Sequence, residues 1–157
     1  MNDITKIRLQ QQHEVLFHQL KELSEEFMLT SFNHKWSIFQ NIAHMGRYQE
    51  VYEMRIHAIL TGHQPQFNRY EAAQDPAWNS WQQLSVKQAL GKLKLKRRML
   101  RDELSLLTEV QEKLSGVHPK FGVMNVLEWT EFFLLHEAHH IYQIFRIIHE
   151  NKLEENA

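Results

Sequence analysis

The chain has 157 residues, enough for one domain with a sizeable core. Its formal net charge is -1 with 24% charged residues, so no overall basic field exists to recruit nucleic acid or an anionic membrane. It contains no cysteine, which excludes disulfides and thiolate metal ligands; any metal must use His, Asp, Glu or water, and 11 histidines are present.

Only 5 Gly and 3 Pro occur, too few for a chain of many tight turns, which favours helices. The first amphipathic run carries Ile7, Val15, Leu16, Leu20, Leu23 and Phe27 and predicts a helix over 4–29. The second helix, 37–61, starts at "SIFQ", where Ser37 precedes Gln40 by three residues as in a capping box. It stops at Gly62. The segment from Gly62 to Leu84 is the longest connection. With Pro65, Pro76, Trp78 and Trp81 it reads as a packed crossover.

The third helix, 86–115, starts at "SVKQ" with Ser85 and Gln88, and Gly116 with Pro119 reads as its stop. The fourth, 126–151, follows "NVLE", the Asn variant of the same box, with Asn125 and Glu128. The tail "NKLEENA" is expected to fray. No repeat, linker or low-complexity segment divides the chain, so residues 1–157 read as a single all-α domain, a four-helix bundle of up-down type. No basic start leads into an apolar segment, and no apolar run approaches membrane-spanning length. A soluble, cytoplasmic protein is the expectation.

Chemistry concentrates in the last helix. His136 and His140 are one turn apart on one face, with Trp129, Phe133, Gln143 and Ile147 on the same stripe. The i, i+4 spacing lets two imidazoles converge on one cation. The alternative is a pair of partly buried histidines bonded to neighbours. Two ligands bind weakly, and spacing alone does not identify a third. Leu134, Leu135, Ile141, Ile144, Phe145 and Ile148 occupy other faces, as in a helix central to a bundle or at a dimer interface.

Residues 136–140 also match the zinc-peptidase pattern H-E-x-x-H, in which Glu137 would activate water. The metzincin continuation needs Gly and His where this chain has Gln143 and Arg146. Glu150, Glu154 and Glu155 lie downstream, but no further helix carries them back. No edge strand is predicted to hold a peptide. The peptidase is the lesser reading.

Two stretches together carry a resemblance. "HKWSIFQNIAHM" has a Trp-Ser helix start with His44 seven residues beyond Ser37. "HPKFGVMNVLEWTEFFLLHEAHHIYQI" has a His-Pro-x-Phe-Gly approach, then a helix with H-x-x-x-H and a following Gln-Ile. In order and spacing the chain resembles the DinB-like superfamily of four-helix, metal-dependent proteins over nearly its whole length. The resemblance implies a three-histidine divalent-metal site, nickel or zinc, from His44, His136 and His140. It also implies a homodimer and a small-molecule substrate. Three protein ligands leave open positions, which activate either water for hydrolysis or a low-molecular-weight thiol cosubstrate for transfer. A non-catalytic metal- or ligand-binding protein is the alternative, and the resemblance does not choose among these.

Supporting residues are weighed on their spacing. Gln143, past His140 on the same face, is a candidate to orient a ligand, or a polar residue at a bundle end. Glu137 is a candidate acceptor for a ligand histidine, with the solvent-facing reading preferred. His139 reads as structural. On the third helix Lys87, Lys94, Arg98 and Arg101 form a solvated stripe, too short for a nucleic-acid surface. Arg97 falls instead in the apolar stripe of Leu90, Leu93, Leu100, Leu104 and Leu107. It would receive an anionic substrate group, pair with an acid such as Asp75, or snorkel to solvent, the last being preferred. The tryptophans read as packing, with Trp129 the one to watch near His136.

Overall fold

The three long helices start at the capping pairs read from the sequence. In this computed structural model, which describes residues 1–152, the Ser37 amide donates to Gln40 Oε1 (2.8 Å) and the Gln40 amide to Ser37 Oγ (3.1 Å). The same reciprocal bonds join Ser85 to Gln88 and Asn125 to Glu128. Each pair satisfies amides that have no partner in a first helical turn. They open α4 (Ile38–Thr61), α6 (Val86–Ser105) and α8 (Val126–Lys152).

Elsewhere the expected boundaries change. The first helix is three pieces: α1 (Asp3–Gln11), α2 (Glu14–Leu20) and α3 (Glu25–Leu29). At the first break the backbone tightens to i, i+3 bonds from Val15 to Gln12 and from Leu16 to His13. The Gln12 side chain meanwhile reaches across to α8. Ser24 caps α3 by accepting from the Phe27 amide at 3.1 Å.

The third helix ends at Ser105 rather than 115. Thr108 and Gln111 form a further capping box that starts a one-turn helix, α7 (Glu109–Glu112). Gly116 is not a helix stop. It lies in β1 (Ser115–His118), which pairs antiparallel with β2 (Gly122–Asn125) in the register Ser115↔Asn125 to His118↔Gly122. A Cβ at Gly116 would come within 2.9 Å of Ile59 and 2.8 Å of Phe67, so only glycine lets the strand lie this close to α4. The crossover is packed, as expected: it contains a 3-10 turn at Ala72–Gln74 and α5 (Pro76–Gln82), with Trp78 and Trp81 buried.

The bundle consists of the segmented α1–α2, then α4, α6 and α8. Cross-helix pairs fix their directions. Asn41 meets His140 while Tyr52 meets Thr130, so α4 and α8 are antiparallel. Lys92 meets Glu50 while Lys96 meets Glu53, so α4 and α6 are parallel. Thr5 meets Glu131 while Gln12 meets Glu137, so α1–α2 runs with α8. The simple up-down order is thus corrected: the long crossover carries the chain back so that two successive long helices point the same way.

Two apolar clusters fill the interior. One gathers Leu16, Ile42, Met45, Trp81, Leu93 and Ile144. The other gathers Leu9, Tyr52, Ile59, Leu100, Trp129 and Phe133. Between them each helix places polar side chains: His13, His44, Gln49, Arg97, Glu137 and His140 are all buried. The bundle therefore has a polar layer at mid-height. Among the described residues no helix is long and apolar enough to cross a membrane. Asn151 and Lys152 end α8; the rest of the tail expected to fray, with Glu154 and Glu155, lies outside the described residues.

Candidate metal centre

Half of the polar layer is a cluster of imidazoles. α4 presents His44, and α8 presents His136 and His140 from successive turns. One nitrogen from each ring lies within 4.8 Å of the other two. His44 Nε2 and His136 Nε2 face each other at 3.3 Å. Two nitrogens bound tetrahedrally to zinc would stand about 3.3–3.4 Å apart, from bond lengths of about 2.0–2.1 Å.

The surrounding residues fix the rings. The His140 Nδ1–H donates to Asn41 Oδ1 at 2.9 Å, which leaves its Nε2 with a lone pair. Asn41 is oriented in turn, because its Nδ2 donates to the Ser37 carbonyl at 2.9 Å. Tyr48 stacks on His136 at 3.7 Å between centroids. Trp36 and Trp78 flank His44 at 5.1 and 6.5 Å. His44 Nδ1 is buried with no hydrogen-bond partner.

Burial is the main cause that keeps these rings neutral. It lowers His44 from 6.5 to about 4, with the His139 charge adding to the effect. Burial and then His44 lower His140 to about 3. Burial, His140 and His44 lower His136 to about 2. Three desolvated, neutral imidazoles with converging lone pairs and no thiolate or carboxylate among them are a donor set that suits zinc or nickel. The residues fit a divalent cation.

The other candidates lie elsewhere. Glu137 does not face solvent, as preferred from the sequence, and it does not support a histidine. It is 3% exposed and pairs with Arg97 on the other half of the polar layer. Its Oε1 accepts from Arg97 Nη1 at 3.1 Å and from Gln12 Nε2 at 2.9 Å. Arg97 does not snorkel and does not meet Asp75. It is buried, its Nε donates to Gln49 Oε1 at 3.2 Å, and Asp75 is taken by Arg47 at 2.6 Å. Gln143 is half-buried beside His140, in a cavity of about 240 Å³ shared with Trp36 and Asn41 but not with His44 or His136. His139 is exposed, with its ring edge-on to His140. Trp129 packs on Phe67, His118 and Arg55 rather than on the histidines.

Sequence reading missed Asn41 and Tyr48. Both were findable, three residues before and four after His44 on the same face of α4. It also missed the β-hairpin, whose tip forms a wall of the cleft that opens onto His44 and His136. That cleft measures about 500 Å³ and is lined by Tyr48, Arg55, Tyr70, His118, Lys120 and Phe132 among others. This is a volume suited to a small-molecule ligand.

A sequence model described as the DinB superfamily matches residues 8–144. No curated protein matches the chain. YfiT from Bacillus subtilis, described as a probable metal-dependent hydrolase with an unusual four-helix bundle topology, superposes with a TM-score of 0.77 at 18% identity, covering 96% of this chain and 87% of its own. TT2238, described as a four-helix bundle protein, gives a TM-score of 0.66 at 19% identity, covering 90% of this chain and 96% of its own. At such identities the likeness speaks for the fold.

Proposed function

The chain belongs to the DinB superfamily, and from that premise we propose that it is a divalent-metal-dependent enzyme acting on a small molecule. His44, His136 and His140 are the proposed ligands, and nickel or zinc the proposed metal. One observation carries the reading: the cluster of three neutral imidazoles borders a cleft of substrate size. A plugged or solvent-remote cluster would have favoured storage or structure. Bound there, the cation would act as a Lewis acid, lowering the pKa of a water or thiol at its open positions.

The protein's own residues then have distinct tasks. Asn41 holds His140 in the tautomer that offers Nε2. Tyr48 and Trp36 fix the rings of His136 and His44 and exclude water from their faces. Hydrolysis is the first reaction class, supported by the description of YfiT. Transfer to or from a low-molecular-weight thiol is the second. A peptidase is disfavoured, since the carboxylate of Glu137 is engaged by Arg97 away from the histidines. A homodimer belongs to the same proposal, supported by Leu135, Tyr142 and Phe145, which lie exposed along α8; light scattering tests it.

The experiment is metal analysis of untagged protein after growth with nickel or zinc. Wild type is expected to hold about one ion per chain, and His44→Ala, His136→Ala and His140→Ala to lose it. Absence of stoichiometric metal in folded wild type would sink the proposal. Turnover of ester and amide substrates against thiol cosubstrates then separates the two reactions, and bound metal with no turnover of either would favour a non-catalytic binding protein.

A further inference from the structure

The cleft beside the histidines has a marked charge asymmetry. Arg55, Arg69, His118 and Lys120 line it, and no Asp or Glu does. Arg55 is the informative one. It projects from the face of α4 that carries His44 and Tyr48, and it is only 9% exposed. Its guanidinium lies 5.5 Å from the Phe67 ring centre and 5.3 Å from that of Trp129. Nη2 donates to the Asn68 carbonyl at 2.8 Å.

Among the described residues, no carboxylate pairs with Arg55. The contrast within the molecule is direct. Arg97, buried deeper still, has Glu137; Arg47 has Asp75 and Glu50; Arg8 has Glu131. Taking a cation out of water without a counter-charge is unfavourable, so buried arginines are normally paired. Asp75, which neighbours Tyr70, is already bound by Arg47.

Two further donors share the cleft. Lys120 is exposed at the hairpin tip and forms no ion pair among the described residues. His118 accepts the amides of Lys120 and Phe121 at Nδ1, both at 3.1 Å. Its proton therefore resides on Nε2, as a fixed neutral donor. Burial, then Arg55 and Lys120, holds this ring below its usual range.

We propose that the ligand of this cleft carries an anionic oxygen group, a carboxylate or a phosphate, that docks on the fork of Arg55 with Lys120 and His118 as further donors. An arginine fork suits such groups because two N–H donors meet two oxygens. The anion supplies the counter-charge that the fold omits. The inference rests on this cleft being the substrate site proposed above, but the anion pocket belongs to the side chains and operates without metal. On α4 the Arg55 and His44 backbones are eleven residues apart, about 16 Å along the helix. The guanidinium of Arg55 nevertheless lines the same cleft as His44 and His136, so the anionic group docks beside the proposed metal site.

The test is calorimetric titration of metal-free protein with benzoate, phenyl phosphate and neutral benzamide. Benzoate or phenyl phosphate is expected to bind one per chain, and benzamide not to bind. The tighter of the two anions identifies the group. Arg55→Gln is expected to weaken the anion roughly tenfold or more. Arg98→Gln, on the exposed face of α6, leaves it unchanged. Because Arg55 also holds Asn68, the exposed substitutions Lys120→Ala and Arg69→Ala provide a second arm, at least one of them weakening binding severalfold. No anion binding, benzamide binding as tightly, or equal affinity in folded Arg55→Gln overturns the proposal; if Arg55→Gln does not fold, unchanged affinity in both alanine variants does so. The same titration on nickel- or zinc-treated protein keeps the two ideas apart, since anion binding without metal uptake sinks only the metal site.

Discussion

Arg97 and Glu137 form a charge pair inside the bundle, on the side of α8 away from His136, although Glu137 is the next residue in the chain. The pair is completed by Gln49 of α4 and Gln12 at the end of α1, so its hydrogen-bonding groups are matched by partners from two other helical segments. Glu137→Ala would strand the guanidinium of Arg97 in the interior. The expected cost is about 3–5 kcal/mol in urea unfolding, because an uncompensated buried charge is left behind. Metal content per folded molecule should not change. A stable Glu137→Ala protein that keeps its metal but loses all turnover would instead restore Glu137 as a catalytic base.

Asn41 offers a finer test of the centre. Its Oδ1 accepts from His140 Nδ1, and its own amide is held by the Ser37 carbonyl at the capping box of α4. Asn41→Ala removes the acceptor and frees the ring. Metal affinity should fall by roughly 10–100-fold in competition with a chelator, the usual effect of losing a partner behind a ligand. Asn41→Asp keeps an acceptor at the same place and should retain or raise affinity. Equal affinity in all three proteins would show that His140 is not a ligand through Nε2.

The difference between legible and hidden features has a physical basis in these residues. Caps were legible because Ser37–Gln40, Ser85–Gln88 and Asn125–Glu128 are local and reciprocal. The break after α1 was not, because apolar spacing continues through it and the tertiary reach of Gln12 to Leu134 and Glu137 accompanies the tightened turn. Gly116 and Pro119 read as a helix stop, whereas they lie in the first strand and at the tip of a hairpin that depends on Gly116 fitting against Ile59 and Phe67. At the site, spacing pointed only to His136 and His140. His44 entered by family resemblance, and the structure brings the three together. Glu137 and Arg97 were misjudged because each was read against solvent, while the partner that allows burial lies 40 positions away.

The imidazole cluster makes stability pH-dependent in metal-free protein. His44, His140 and His136 are held at about 4, 3 and 2, chiefly by burial, against 6.5 ordinarily. Below about pH 6.5 the unfolded chain takes up protons that the folded chain refuses. Stability is therefore complete above that pH and falls as the pH drops towards the folded values. Each histidine contributes a slope of up to about 1.4 kcal/mol per pH unit, and the three titrate together rather than independently. Urea unfolding at about pH 7 and about pH 5.5 should show a larger loss for wild type than for His136→Asn, by about 1 kcal/mol. Identical losses would mean that His136 is not kept neutral by the fold.

Gly46 tests how the crossover is held against the site. It is buried in α4, and a Cβ there would stand 2.3 Å from Cζ3 of Trp81, a residue 1% exposed. Alanine in a helix interior ordinarily gains about 1 kcal/mol over glycine. Here that gain is outweighed, since Trp81 has no room to retreat and its indole nitrogen is tied to Glu50 at 3.0 Å. Overpacking of this kind costs about 1–3 kcal/mol or more, so Gly46→Ala should be net destabilising in urea. The displacement would pass along α5 to Trp78, which packs edge-on against His44, so metal affinity should fall as well. Trp81→Leu removes the colliding ring. In that background Gly46→Ala should cost less than in wild type, or even stabilise, as the helix preference for alanine reasserts itself. An equal penalty in both backgrounds would show that something other than the Trp81 ring requires glycine at position 46.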